Sequence, residues 1–531
     1  MSSSNGTGPT LSKSTDSTPH EVATHGGRNP WLAVALLGLV QLMIVLDASI
    51  TNVALPSIGA DLKMDESALS WVVNGYILVF GGLLLLGGRM GDLLGRRKLF
   101  MVGLVIFSLA SLFSGFATQE WHLIAARCVQ GMGGAIIAPS VLAIIASLFT
   151  EGPERNKALG VLGAIAGSGG AIGVLLGGIL TDKLSWEWIF WVNVPVGLIA
   201  CALTPFLLDE SRSGELDQGF DFFGAITVTS GIAALVYALV DANNAGWGSG
   251  QTIGLLVGSA VLLGAFVLIE NHVKSPLVRL GIFKNRNVAG SNIVSVVIGA
   301  ALFSMFFFIT LYLQPALGLT PLQTGVRYLP LAVSIIFSAG IASALVTKLG
   351  AKTPLLMGLA LTMVGLLWFT QVSADGSWLI DVLGPSVVAG AGLGFVFVPI
   401  TIVAVTGVAH EENGLASGLI NTTQQVGGAV GLAALAAVYN HRKEQITDLA
   451  PNAAGALSGK LEALKAEGAA PAQMQDIQMQ LGQFAKGVTE GVQSAFWGGA
   501  MFAFAGLILG IVLIRSGKED VAAAHAAGPM V

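Results

Sequence analysis

Apolar segments of about 20 residues recur from one end of this 531-residue chain to the other, and each is long enough to cross about 30 Å of hydrocarbon as a helix. Fourteen can be read: Trp31–Pro56, Ala68–Leu86, Leu99–Ala117, Trp121–Leu148, Ala158–Leu180, Trp188–Leu208, Phe222–Val240, Thr252–Glu270, Val288–Pro315, Gly325–Val346, Pro354–Thr370, Trp378–Val405, Gly414–Tyr439 and Gln493–Ile514. A soluble core has no place for so much apolar length. Only 11% of the residues are charged, against about 25% in an average soluble protein. The expectation is an all-α integral membrane protein with fourteen spans.

Lys and Arg in the short loops set the orientation. Arg89, Arg96, Arg97 and Lys98 fall in the second connection, Arg155 and Lys157 in the fourth, Lys274, Arg279, Lys284 and Arg286 in the eighth, and Lys348 and Lys352 in the tenth. The short odd-numbered connections carry almost none. Even connections are therefore expected in the cytoplasm, with both termini there too, in a multi-pass cell-membrane protein. Residues 1–29, rich in Ser, Thr, Gly and Asn, read as a disordered tail. The thirteenth connection spans about 50 residues and falls outside. Within it Leu457, Leu461 and Leu464, and then Met474, Ile477, Leu481, Phe484 and Val488, recur at helical spacing, which predicts two amphipathic helices on the outer surface. They form either a structural hairpin or a cap over an exit path.

Two ionisable residues lie deep inside apolar runs. Asp47 sits about two-thirds of the way along the first segment and Arg127 several residues into the fourth. A charge at such depth costs at least about 2.5–3.5 kcal/mol and is rarely idle. Burial raises a carboxyl's proton affinity and a nearby guanidinium lowers it. A conformational change that alters their separation would take up a proton in one state and release it in the other. The alternatives are a permanent structural ion pair, or an Asp47 that anchors the helix nearer the headgroups. Asp241, Glu270 and Asp381 fall at segment ends and read as interface anchors.

The second connection runs Gly88-Arg89-Met90-Gly91-Asp92-Leu93-Leu94-Gly95-Arg96-Arg97-Lys98. Its glycines permit a tight reversal, and Asp92 among four cations suits a contact that is made and broken. In the fifth segment Gly169, Gly173 and Gly177, four apart, put small residues on one face where helices pack closely and can slide; close packing alone accounts for them equally well.

With these motifs in view, the chain resembles the major facilitator superfamily, and more closely its fourteen-helix drug:proton antiporter branch. Asp47, Asn52 and Pro56 match that branch's first-helix signature, Gly88–Lys98 its loop motif, and Arg127-Cys128-Val129-Gln130-Gly131 its fourth-helix motif. Trp186–Phe190 with Asn193, Pro195 and Gly197 is similar to the start of the sixth helix, and Leu311–Gln314, Gly392–Phe395 and Gly414–Gly418 to the second half. Two positions depart: Val174 stands where the antiporter motif has proline, and Glu187 where arginine is expected. The resemblance implies two six-helix bundles at 30–208 and 288–514, the second with an outer loop at 440–492. An acidic linker and two additional helices at 209–287 separate them, and a tail follows at 515–531.

It also implies proton coupling at Asp47 and Arg127, and conformational gating at Gly88, Asp92, Gly95, Arg96, Arg97, Gly173 and Gly177. Candidate substrate contacts are Asn52, Trp71, Asn74, Tyr76, Gln130, Gln314, Asn421 and Gln425. The expected activity is export of small amphipathic compounds in exchange for protons by alternating access, with uptake of a small solute or a non-transporting sensor as alternatives. The expected partners are the substrate, protons and the bilayer, with a monomer sufficient and no nucleic acid. No enzyme activity, cofactor or metal is expected: Gly167-Ser168-Gly169-Gly170 lacks the lysine of a phosphate loop, the histidines show no metal spacing, and Cys128 and Cys201 read as small buried apolar residues.

Overall fold

The computed structural model describes residues 29–515 apart from 65, 150–152, 211–220, 274–275, 407, 409–412, 448–452 and 467–470. The N-terminal tail, most of the acidic linker and the C-terminal tail therefore lie outside the described residues, as do the side chains of Pro56 and Asp92.

Sixteen α-helices make up the described chain: α1 Pro30–Leu62, α2 Glu66–Leu94, α3 Arg96–Ser114, α4 Glu120–Leu148, α5 Pro153–Lys183, α6 Trp188–Trp191, α7 Asn193–Leu207, α8 Phe222–Ala245, α9 Gly250–His272, α10 Arg286–Leu311, α11 Pro321–Leu349, α12 Lys352–Phe369, α13 Leu383–Val405, α14 Asn413–Glu444, α15 Ala453–Ala466 and α16 Pro471–Leu513. Thirteen spans are long and apolar enough to cross a membrane, α6 and α7 together making one of them. The remaining expected span, Gly414–Tyr439 in α14, is too rich in Gly, Asn and Gln to qualify on composition, yet it packs against α10, α2, α16 and α4 inside the bundle. Its amides Asn421, Gln424 and Gln425 are half-buried. Side chains such as Phe337, Ile380 and Met501 point outward, as a hydrocarbon surround permits.

The two halves repeat one packing scheme. In the first, α1 packs on α5 and α7, α4 on α2 and α3, and α3 on α7. In the second, α10 packs on α14 and α16, α13 on α11 and α12, and α12 on α16. Setting α10–α14 and α16 against α1–α5 and α7 maps every one of these pairs onto its counterpart. The contacts between halves exchange under the same mapping: α5 with α11 answers to α14 with α2, and α5 with α13 to α14 with α4. Pro139 inside α4 and Pro399 inside the equivalent α13 continue the likeness. The pair α8–α9 packs on itself and lays α8 against α2 and α14.

One expectation is corrected here. The second amphipathic stretch is no separate surface helix: residues 471–513 form one continuous 43-residue helix, α16, whose N-terminal part carries the pattern while its C-terminal part is the last span. Ile477, Phe484 and Val488 are buried, and α15 packs alongside. No helix-breaking residue interrupts the register, so amphipathic and apolar parts join without a turn.

Candidate functional site

Asp47 is fully buried in α1, and five other helices, α2, α3, α4, α6 and α7, contribute to the cluster around it. Arg127 of α4 donates from Nη1 to Asp47 Oδ2 at 2.6 Å. Gln130, one turn on, donates from Nε2 to Asp47 Oδ1 at 2.7 Å, and Asn193 at the head of α7 donates to the same oxygen at 2.9 Å. Ser111 of α3 accepts from both amides, at 3.2 and 3.0 Å, and donates to the carbonyl of Phe190 at 2.8 Å.

The guanidinium is held as firmly as the acid. Its Nε donates to the carbonyl of Val72 at 3.1 Å and its Nη1 to Gln130 Oε1 at 2.7 Å. Its Cζ stands 4.3 Å from the ring centroid of Tyr76 and 5.7 Å from that of Phe190. A buried ion pair stands only when its remaining polar atoms are satisfied, and here three donors serve one carboxylate. Protonation of Asp47 would remove the charge that orders Arg127, Gln130 and Asn193 together. The Tyr76 hydroxyl is buried without a partner, pointing past Gly134.

The structure thus brings Asp47 and Arg127 together with Gln130 and Tyr76, two residues expected as substrate contacts. The sequence reading missed the roles of Asn193 and Ser111. Asn193 carries a signal, a neutral amide at membrane depth beside the Trp186–Phe190 motif; Ser111 in an apolar run carries none. Other candidates lie elsewhere. Asn52 is exposed and donates to the carbonyl of Ala48 on its own helix. Trp71 stacks on Tyr237 of α8 with centroids 5.3 Å apart, so it lines the seam with the additional pair. Asn74 is half-buried on α2. Gln314 is half-buried in a wide turn of π-helix, Tyr312–Ala316. On α14, Asn421 and Gln425 are half-buried, and Asn421 donates to the carbonyl of Ser417 at 2.8 Å. Cys128 and Cys201 are half-buried free thiols.

The loop glycines and cations sit at the Arg-rich end of the bundle. Gly95 breaks α2 from α3 with φ of 108°, a conformation that glycine alone adopts freely. Arg96 is buried, and Arg97 binds the residues after α7: its backbone N–H donates to Glu210 Oε1 at 3.2 Å and its Nη1 to the carbonyl of Leu208 at 3.3 Å. Gly88 meets α14, where a Cβ on Gly418 would stand 3.8 Å from the Gly88 Cα and 3.2 Å from the Leu84 carbonyl.

The glycines of α5 serve two faces. Gly169, Gly173 and Gly177 press on Val45, Ser49 and Ile50 of α1 within the first half. Gly160, Gly163, Gly167 and Gly170 instead meet Ser343, Val398, Ile335 and Phe306 of the second half. At the opposite end Gly325 of α11 lies against the backbone of Val174 and Leu175. With valine at 174, α5 runs unbroken from Pro153 to Lys183. Glu187 has one buried, unpartnered carboxyl oxygen beside α6.

A family model described as Major Facilitator Superfamily matches residues 37–432. The chain belongs to the Major Facilitator Superfamily. It is similar to the puromycin resistance protein pur8 of Streptomyces alboniger, 39% identical over 78% of this chain and 84% of that protein. The cephamycin export protein CmcT of Amycolatopsis lactamdurans is 37% identical over 76% of this chain and 84% of its own length. Among solved structures, the human organic anion transporter MFSD10 (TETRAN) superposes with a TM-score of 0.59, covering 91% of this chain and 99% of that one at 14% identity, a likeness of fold.

Proposed function

We propose that this protein exports small amphipathic compounds, antibiotics among them, in exchange for protons. The names of its relatives support export. The observation that carries the proton coupling is the fully buried Asp47 carboxylate held by Arg127, Gln130 and Asn193.

In this reading a proton arriving from outside neutralises Asp47 and frees Arg127. The cluster loosens, and the bundles rock about the α5–α11 and α2–α14 contacts. Substrate entering from the cytoplasm favours return of the proton to that side. The Arg-rich connections face the cytoplasm of a cell membrane. One proton moving inward yields about 2.3 kcal/mol per 100 mV, plus about 1.36 kcal/mol per pH unit. That sustains a substrate gradient of several tens-fold to a few hundred-fold. Were Asp47 the only acid at depth, the substrates it suits would be neutral, zwitterionic or singly charged compounds.

The test is proton movement on substrate addition in proteoliposomes, wild type against Asp47→Asn, with puromycin and a cephamycin among the compounds. Proton release that vanishes in Asp47→Asn while substrate counterflow survives is the expected result. Coupled uphill transport persisting in that variant would make Asp47 structural.

A further inference from the structure

The additional pair α8–α9 carries a second buried acid cluster that the Asp47 mechanism does not use. Glu270, expected at an interface, is instead only 5% exposed, in the last turn of α9, and Asp221, which caps α8, is 6% exposed. Each commits one oxygen to the backbone. Asp221 Oδ1 accepts from the Gly224 N–H at 2.8 Å, and Glu270 Oε2 from the Val278 N–H at 3.2 Å. The other two oxygens, Asp221 Oδ2 and Glu270 Oε1, are buried without any hydrogen-bond partner.

These two bare oxygens converge. A Cβ on Gly224 would overlap Asp221 Oδ2 and stand 2.9 Å from Glu270 Oε1, so the absence of a side chain there lets both flank one point. Arg89 of α2, itself buried, and Asp221 are the charged groups that act on Glu270. His272 on α9 is exposed and turned to the Leu268 carbonyl. From α14, which also packs on α8, no charged side chain comes before His441 at its far end.

Two anions so close in a dry setting cannot both stay ionised, and each lacks a donor. One proton answers both deficits. We propose that Asp221 and Glu270 form a proton-binding site, a carboxyl–carboxylate pair sharing one proton, separate from Asp47 and at the Arg-rich end of the additional pair. With the proton in place the pair bears one negative charge, matched by Arg89. Its release to solvent leaves two negative charges against one positive. The head of α8 and the end of α9 then repel, and the pull on Arg89, near the end of α2, grows. Proton occupancy is thereby transmitted to the seam between the additional helices and the first bundle.

The test is the unfolding midpoint of the full chain in detergent, from mildly acidic to mildly alkaline pH. Wild type is compared with Glu270→Gln and Asp221→Asn, which keep the backbone contacts and supply the missing hydrogen permanently. A native state that binds more protons than the unfolded chain loses stability as pH rises. Wild type should therefore show a falling midpoint that each variant flattens, while the acid-side midpoint stays at the wild-type value. In an Asp47→Asn background, which removes the other buried acid, the infrared C=O band of a protonated carboxyl should disappear on Glu270→Gln. Two results would overturn the proposal: variants that lose stability at every pH and keep the wild-type slope, or sodium or potassium chloride restoring the alkaline midpoint of wild type alone. The second would make the site a metal-cation site.

Discussion

At the residue scale the Asp47 cluster depends on the shape of its cation as much as on charge. Arg127 donates in three directions, to Asp47, Gln130 and the Val72 carbonyl, while its plane lies over Tyr76. Lysine keeps the charge but cannot hold that fork. Arg127→Lys is therefore expected to lower the initial rate of substrate-driven proton release at least tenfold. Losing one hydrogen bond to a charged group costs about 1.5–3 kcal/mol, and about 1.4 kcal/mol is a factor of ten. A rate within twofold of wild type would show that charge alone suffices. Asp47 and Arg127 are legible from the sequence because a charge at membrane depth is costly and stands out against apolar neighbours. Asn193 and Ser111 complete the same cluster with neutral groups, and neutral groups at depth usually bond to a neighbouring helix without further meaning. Their partners are brought to them only by folding.

At the element scale, glycine positions decide how closely helices approach, and their surroundings differ sharply. A Cβ on Gly299 of α10 would overlap the Gln424 carbonyl and stand 3.0 Å from the Gly428 nitrogen of α14, whereas one on Gly340 of α11 meets nothing within 4 Å. Gly299→Ala should lower the unfolding midpoint, by the equivalent of about 1–3 kcal/mol for overpacking. Gly340→Ala should leave it unchanged or raise it by the equivalent of up to about 1 kcal/mol, the helix preference of alanine. Equal effects would mean that α10 and α14 do not approach as closely as described. Most spans are legible as apolar runs between basic connections. Which glycine faces which neighbour is not: Gly173 and Gly163 look alike in the sequence, yet one presses on α1 and the other on α13. The continuity of α16 was also hidden, because a change from amphipathic to apolar patterning reads as a boundary even where the backbone has none.

Across the whole molecule, the repeated packing of the two halves makes the α2–α14 and α5–α11 contacts equivalent. At the Arg-rich end Gly88 and Gly418 face each other closely enough for paired cysteines to bridge, with a Cβ on Gly418 at 3.8 Å from the Gly88 Cα. In a chain with Cys128 and Cys201 replaced by serine, Gly88→Cys with Gly418→Cys should cross-link on mild oxidation and stop transport. Reduction should restore the rate of the unlinked protein. Transport that continues at full rate in fully cross-linked protein would remove this contact from the cycle. The halves are alike in packing but not in chemistry, since the Asp47 cluster is built on helices of the first half, α1–α4, α6 and α7.

That leaves α16, a rod rigidly rooted in the second half. At about 1.5 Å per residue its 43 residues run roughly 64 Å, about twice the hydrocarbon thickness. About half of it therefore stands clear of the lipid, like the mast of a boat. A hull that heels by a few degrees moves its masthead much further than its deck. The N-terminal end of α16 thus magnifies any tilting of the second half and offers that motion to whatever lies beside it outside the lipid.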